Sequence, residues 1–420
     1  MNELFADNEY LGRDFHGTHT SIEWVVKCVH NKSPEFDKVR DGSKISKITF
    51  FDVSGGKGFV SNVYKVTLTF VNNNTYPFVL KIPKVVDIGK AIGGMTEEQC
   101  KKMSDALNDE IVARLHKREL DFYLNFGSIP DLKVPRFFGG QEWIVDKKRE
   151  GCIVMEYLGD DAINLDFSKS FNRKQLDHVL DQLLILHTHS LCLPEADWKN
   201  KYKYAFDPKT LNFFEDQFKP NWELLKTFIP EDKWKPIEKE VLSMGERNVD
   251  IITHVHITLP ARQNNHSVLS HADLWTNNIL FSKSTGDLIS LIDWQTVYEG
   301  NITVDLARLF VMGHSYEVRH KLEAEVLPEY FESLKKNVLQ KGGKFTMAFE
   351  EFMELYYYSL IEQALAMTMG MSLLLFHNHH PDPAVFEQKK AKFILNIYHA
   401  NVDAVAAVKK IKKEWLVHKK

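Results

Sequence analysis

Cysteine is scarce in this chain: four residues in 420 (Cys28, Cys100, Cys152 and Cys192), with no CxxC pair among them. Neither a disulfide framework nor a zinc cluster is suggested, and four reduced thiols in a cytosolic protein is the simplest account. An excess of one charge is missing too. The 53 Lys and Arg nearly balance 57 Asp and Glu, for a net charge of -4. That argues against a nucleic-acid binder or a polybasic membrane anchor. The N-terminus, Met1-Asn2-Glu3-Leu4-Phe5-Ala6-Asp7, carries no basic segment and no apolar run, so no secretory signal is visible. Long hydrophobic runs are also absent. The longest uncharged stretch, Ala364 to Phe376, is too short to span a bilayer and is closed by Glu362, which favours a buried core helix over membrane insertion. No internal repeat and no low-complexity segment stands out. The apolar content of 44% and charged content of 26% are ordinary for a globular protein, and the length calls for two domains.

What is present centres on His271-Ala272-Asp273-Leu274-Trp275-Thr276-Asn277-Asn278, followed by Ile279-Leu280-Phe281, a turn at Ser284-Thr285-Gly286-Asp287, and Leu288 to Asp293. Two short apolar strands joined by a turn are predicted, with Asp273 and Asn278 before the first and Asp293 ending the second. Phosphoryl transfer from ATP needs such a set. One carboxylate meets the acceptor hydroxyl, while an amide and a second carboxylate hold the magnesium ions that offset phosphate charge. The plainer alternative is turn capping by side-chain hydrogen bonds, but four polar positions at the required spacings in the required strand context favour chemistry.

Upstream, apolar periodicity predicts a helix over 20–31, strands at Ile45 to Val53, Tyr64 to Phe70 and Phe78 to Ile82, a helix over 97–126, and strands at Val134 to Phe138 and Cys152 to Tyr157. Beyond Leu158 helices dominate: one carries Leu176 to His187, and others fall at 232–256, 316–339, 346–376 and 385–416. The expected class is α+β, with a small strand-rich lobe over 1–158 and a larger, mostly helical lobe over 159–420. Gly55-Gly56-Lys57-Gly58 lies between the first two strands, and is either a phosphate-covering loop or an ordinary turn. Lys81 sits in an apolar strand and must find an anion or reach an edge. Glu119 shares the apolar face of the 97–126 helix and is its favoured partner over Glu110, since a lone buried carboxylate is costly. Glu156 and Tyr157 end the last strand of the small lobe, where exposed backbone would read adenine or simply leave for a linker. His187 with His189, His254 with His256, and the 377–380 histidines lack the spacing and cysteine support of a metal site. The Tyr356-Tyr357-Tyr358 run and the Met-rich 367–371 stretch would line an acceptor pocket, or pack as plain core.

With these residues assembled, the chain resembles the CHK-kinase-like family, also called ecdysteroid-kinase-like, in its nematode branch, related to choline kinases and aminoglycoside phosphotransferases. The resemblance covers about residues 20 to 410. It is strongest in Val268 to Leu280 and Leu291 to Gln295, with Gly55 to Phe59, His116 to Tyr123 and Asp305 to Arg308 in support. It implies a bilobal protein-kinase-like fold with a small antiparallel sheet, an ATP-binding first lobe, and a second lobe holding the catalytic loop and acceptor pocket. Asp273 becomes the catalytic base, Asn278 and Asp293 magnesium ligands, and Lys81 with Glu119 the phosphate-orienting pair. Asp305 looks like the structural Asp of the family's Asp-Leu-Ala segment, although an N-cap role alone would explain it. His271 is expected to bond backbone. Trp294 and Gln295 border the acceptor pocket or pack the hairpin. Ala272 departs from the glycine common in relatives, a strain only where φ is positive. The implied function is ATP- and magnesium-dependent phosphorylation of a small alcohol such as a steroid, a glucosylated xenobiotic or a choline-like compound, in detoxification or hormone inactivation. A pseudokinase scaffold is the rival reading. A protein kinase is disfavoured, because no Ala-Pro-Glu segment is present and Asp293-Trp294-Gln295 stands where Asp-Phe-Gly would.

Overall fold

The computed structural model describes residues 3–53, 60–85, 101, 104–105, 108–147, 149–206, 208–262, 266–377 and 380–416. The chain divides into two compact units, Met1–Ser128 with Val134–Asp161, and Ile129–Lys133 with Ala162–Lys420.

In the first unit, helices α1 (Ile22–Lys32) and α2 (Pro34–Arg40) are started by serine caps. Ser33 accepts from the Phe36 N–H at 3.2 Å, and Pro34 occupies the first turn, where its missing N–H costs nothing. Strands β1 (Ile45–Asp52), β2 (Ser61–Phe70), β3 (Thr75–Pro83), β4 (Phe137–Gln141) and β5 (Cys152–Glu156) form an antiparallel sheet ordered β1-β2-β3-β5-β4. Alternation along β2 buries Val66, Leu68 and Phe70 together with Phe78, Leu80 and Val154 against Val25, Val29 and Phe36 of the two helices. Each such burial contributes about 1.5–3 kcal/mol. The same alternation turns Lys81 to the opposite side of β3, toward α3 (Asp109–Phe126), which Asn108 caps.

Two expectations shift here. The helix placed over 97–126 is described from Asp109 onward, since 97–100, 102–103 and 106–107 lie outside the described residues. The strand placed at 134–138 begins at Phe137, because Pro135 has no N–H for the ladder. Cys28, Cys152 and Cys192 are unpaired thiols, and Cys100 lies outside the described residues.

The second unit is mostly helical. Its strands form two small antiparallel sheets: β6 (Ala162–Asn164), β8 (Ile279–Ser282) and β9 (Leu288–Leu291) in the order β6-β8-β9, and β7 (Ser267–Ser270) paired with β10 (Tyr298–Asn301). Its α-helices longer than four residues are α4 (Arg173–Cys192), α5 (Pro208–Lys226), α6 (Glu238–Gly245), α7 (Asn248–Thr253), α8 (Val304–Gly313), α9 (Tyr316–Gln340), α10 (Phe349–His377) and α11 (Pro383–Ile411). An Asn172–Gln175 capping box starts α4. The residues from Phe349 to Leu375 are long and apolar enough to cross a membrane, a longer element than the uncharged run alone suggests. Their most apolar window is 72% buried, as in a core helix.

The single helix expected over 232–256 is broken. Pro236 ends the turn Glu231–Trp234, α6 and α7 follow, and a π turn covers His254–Thr258. Helix α5 and strands β6, β7 and β10 add to the expected elements, although Leu211, Phe218, Trp222 and Leu225 of α5 recur at helical spacing and are buried.

In the first unit α1 lies so close to β4 that a Cβ at Gly139 would sit 2.6 Å from Cys28 Sγ. Gly139→Ala is expected to destabilise the protein by about 1–3 kcal/mol in denaturant melts. Adding Cys28→Ala should recover part of that loss; a double variant no more stable than Gly139→Ala would show that the contact is not the cause.

Candidate active site

The central loop of the second unit runs from the end of β7 to the start of β8, and it is held from behind. Asp305, the second residue of α8, is fully buried and accepts two backbone hydrogen bonds. The His271 N–H reaches Oδ2 at 2.7 Å, and the Ala272 N–H reaches Oδ1 at 2.8 Å. Thr303, not Asp305, precedes the helix, so the N-cap explanation fails and Asp305 is a loop anchor. His271 also bonds backbone. The Asp273 N–H donates to its Nδ1 at 3.3 Å, which leaves the proton on Nε2 to be given to the Ile292 carbonyl at 2.9 Å. Thr296 Oγ1 donates to the His271 carbonyl at 2.8 Å. Held this way, Ala272 adopts φ 66°, the left-handed conformation that penalises a Cβ.

Asp273 emerges from this turn with both oxygens engaged. Arg308 Nη2 donates to Oδ1 at 2.6 Å, and Asn278 Nδ2 donates to Oδ2 at 2.9 Å. Asn278 Nδ2 also reaches the Asp273 carbonyl at 2.8 Å. With Nδ2 so committed, Oδ1 is the amide atom that could hold a cation. The Asn278 carbonyl accepts from the Ile292 N–H at 3.0 Å, so Asp293 is the next residue beyond that backbone pairing. Asp293 is itself left-handed at φ 66°, a conformation Asp tolerates, and Gln295 Nε2 donates to its Oδ2 at 3.2 Å. Amide and carboxylate oxygens such as those of Asn278 and Asp293 are the hard donors that could hold magnesium, which otherwise takes waters and substrate phosphates. Among the described residues no cluster of three or more His, Cys, Asp or Glu is set to hold a metal.

In the first unit, Lys81 Nζ meets Glu119 Oε2 at 2.6 Å, with relative exposures of 8% and 2% for the two residues, while Glu110 is exposed. Lys81 faces Val63 and Ile153 across the central strands. Burying two charges is tolerable because each satisfies the other. Gly55, Gly56, Lys57 and Gly58 lie outside the described residues; the strands flanking them pair as far as Asp52 with Tyr64. The Glu156 N–H goes to the Arg136 carbonyl at 2.9 Å, so it does not remain for an adenine ring. The Tyr157 hydroxyl donates to Asp160, and Lys65 Nζ lies 4.0 Å from the centre of the Tyr157 ring.

Arg308 carried no role in the sequence reading, although a signal was there. It is the one cation in the otherwise apolar helix that Asp305 opens, three residues on and on the same face, so it required an anion. Tyr356, Tyr358, Met367 and Met371 are buried. His187 bonds the Tyr330 hydroxyl at 2.7 Å, and His256 lies 3.2 Å from Glu362. Trp294 packs against the His271 ring, with 4.5 Å between centroids.

The family model described as "Uncharacterized oxidoreductase dhs-27" (DUF1679) matches residues 17–406, and the chain belongs to this family. Two relatives come from Caenorhabditis elegans. "Uncharacterized oxidoreductase dhs-27" is 25% identical over 76% of this chain and 39% of its own length. "Uncharacterized kinase-like protein D1044.1" is 23% identical over 72% of this chain and 78% of its own length. The chain therefore spans well under half of the first of these relatives. Similar solved structures include a putative aminoglycoside phosphotransferase from Ralstonia eutropha, 9% identical, covering 90% of this chain and 98% of that one at a TM-score of 0.41. An ethanolamine kinase from Plasmodium vivax is 13% identical, covering 95% and 92% at a TM-score of 0.37. The architecture is of the α+β class expected from the sequence: a small antiparallel sheet carrying the Lys81–Glu119 pair, then a mostly helical remainder carrying the loop and hairpin.

Ala272→Gly removes the Cβ from a left-handed residue, at the cost of a more flexible unfolded chain. It is expected to raise stability by about 0.5–1 kcal/mol in urea melts. A decrease of that size would show that the turn is not strained.

Proposed function

We propose that this chain is an ATP-dependent small-molecule O-phosphotransferase acting on an alcohol. The observation that carries the reading is Asp273, held between the Asn278 amide and the Arg308 guanidinium in a loop whose backbone is fastened to Asp305. Turn capping alone would not call for a buried anchor and a strained turn behind one carboxylate.

In this reading Asp273 accepts the proton of the acceptor hydroxyl as its oxygen bonds to the γ-phosphorus. The bond from that phosphorus to the bridging oxygen breaks, and its electron pair leaves with ADP. Asn278 Oδ1 and the Asp293 carboxylate would hold magnesium, which offsets phosphate charge when bound. By family resemblance Lys81, paired with Glu119 in the first unit, is the phosphate-orienting group.

A small acceptor is favoured over a peptide by the brevity of the chain after Asp293. Only residues 294–303 separate it from α8, and they are taken up by a short 3-10 turn and by β10. No stretch is left for a peptide-binding activation segment. By family resemblance the acceptor is a steroid, a glucosylated xenobiotic or a choline-like alcohol, with detoxification as the role. The oxidoreductase in one relative's name is said of a protein this chain matches over 39% of its length.

Transfer of labelled γ-phosphate from magnesium ATP to a pooled alcohol library tests the proposal. Asp273→Asn is expected to lower transfer by about 10²–10⁴-fold while nucleotide binding persists. Undiminished transfer in that variant would remove Asp273 as base. Magnesium ATP binding with no transfer to any acceptor or to water would instead favour a pseudokinase scaffold.

A further inference from the structure

Arg308 does not grip Asp273 as arginine commonly grips a carboxylate. A guanidinium and a carboxylate fit each other at two points, and the paired bonds are among the strongest between side chains. Here Asp273 receives a single N–H, from Nη2 at 2.6 Å. The other arm, Nη1, points to Gln363 Oε1 on α10 at 3.2 Å, and Nε is buried without a hydrogen-bond partner. The guanidinium is turned away from the two-point fit and kept there.

What turns it is the Gln363 amide, whose direction is fixed by the buried groups behind it. Gln363 is 3% exposed, and its Nε2 donates to Glu362 Oε2 at 2.7 Å, so its Oε1 must face Arg308. Glu362, also 3% exposed, has its second oxygen 3.2 Å from His256 Nε2. His256 Nδ1 lies 2.5 Å from the Tyr298 hydroxyl. Complete burial pushes that hydroxyl well above its usual range, so it keeps its proton and donates to Nδ1, leaving the His256 proton on Nε2. Tyr204 stacks on the His256 ring at 4.3 Å and fixes its plane. The π turn over His254–Thr258 is the irregularity that carries His256. Glu362 thus accepts from Gln363 Nε2 with the His256 ring set beside its other oxygen, and the Gln363 amide is the link to Arg308.

We propose that Gln363, oriented by Glu362, is a positioning residue that denies Asp273 a two-point guanidinium clamp. Resting on the phosphotransferase reading, the consequence is that Asp273 keeps an oxygen lone pair free for the acceptor proton. Arg308 still fixes the carboxylate in place through one bond.

The crystal structure of Gln363→Leu tests the geometry without any assay. Leucine fills a similar volume and cannot accept a hydrogen bond, so Nη1 and Nη2 should both move onto Asp273. A guanidinium that stays on one oxygen overturns the proposal, and Gln363→Met serves in the same way should the leucine variant not fold. Hydrolysis of magnesium ATP with water as acceptor then reads the consequence. Gln363→Leu should lower kcat about tenfold with KM for ATP unchanged, and the loss should vanish in an Arg308→Lys background, where no fork remains. Losses that simply add in the double variant would mean that Gln363 acts on stability and not through Arg308. Absence of turnover in the unaltered protein would count against the phosphotransferase reading alone, since the crystal structure still decides the arrangement of the guanidinium.

Discussion

The grip of the Asp305 carboxylate on two successive backbone N–H groups is the constraint from which the site is built. Its oxygens take the His271 and Ala272 amides at 2.7 and 2.8 Å from within a fully buried position. A carboxylate so placed is affordable only because charge-assisted bonds replace the water it lost. In return it forces Ala272 into a left-handed turn that aims Asp273 outward, with Asn278 and Arg308 closing on either side. Strain at one residue is thus held by the surrounding bonds, as is common where a side chain must be presented in one orientation.

The two units use the same device for different ends. In each, a buried or half-buried charge is set by an opposite charge on a neighbouring helix: Lys81 by Glu119 on α3, Asp273 by Arg308 on α8. Both cations stand on elements that are otherwise apolar, a central strand in one case and a core helix in the other. That setting favours partners within the protein over water.

Much of this was legible in the chain. Alternation along β2 marked its buried face, and the Ser284 to Asp287 turn marked the hairpin between β8 and β9. An acidic residue within the apolar stripe of α3 marked the partner of Lys81. Where reading failed, a tertiary contact or a proline had overridden local pattern. Pro236 broke an expected helix, and Pro135 delayed a strand. Strands β6, β7 and β10 are held by partners distant in sequence, which no local window reveals. Asp305 was placed at a helix start from its sequence, where capping is the usual duty. Its actual partners are the amides of residues 271 and 272, more than thirty positions away.

The sequence by itself determined the chemical inventory and its order: an amine in a strand, a carboxylate on the following helix, then two acids and an amide around a hairpin. Residue type and periodicity suffice for that, because burial of an apolar face and the needs of a charge are local properties. Only the tertiary structure decided which atoms of those groups are engaged. The single guanidinium contact on Asp273, the turned amide of Asn278 and the Tyr298–His256–Glu362–Gln363 chain behind Arg308 depend on helices packed from distant parts of the chain. Hydrogen-bond direction is set by the geometry of that packing, and composition carries no record of it.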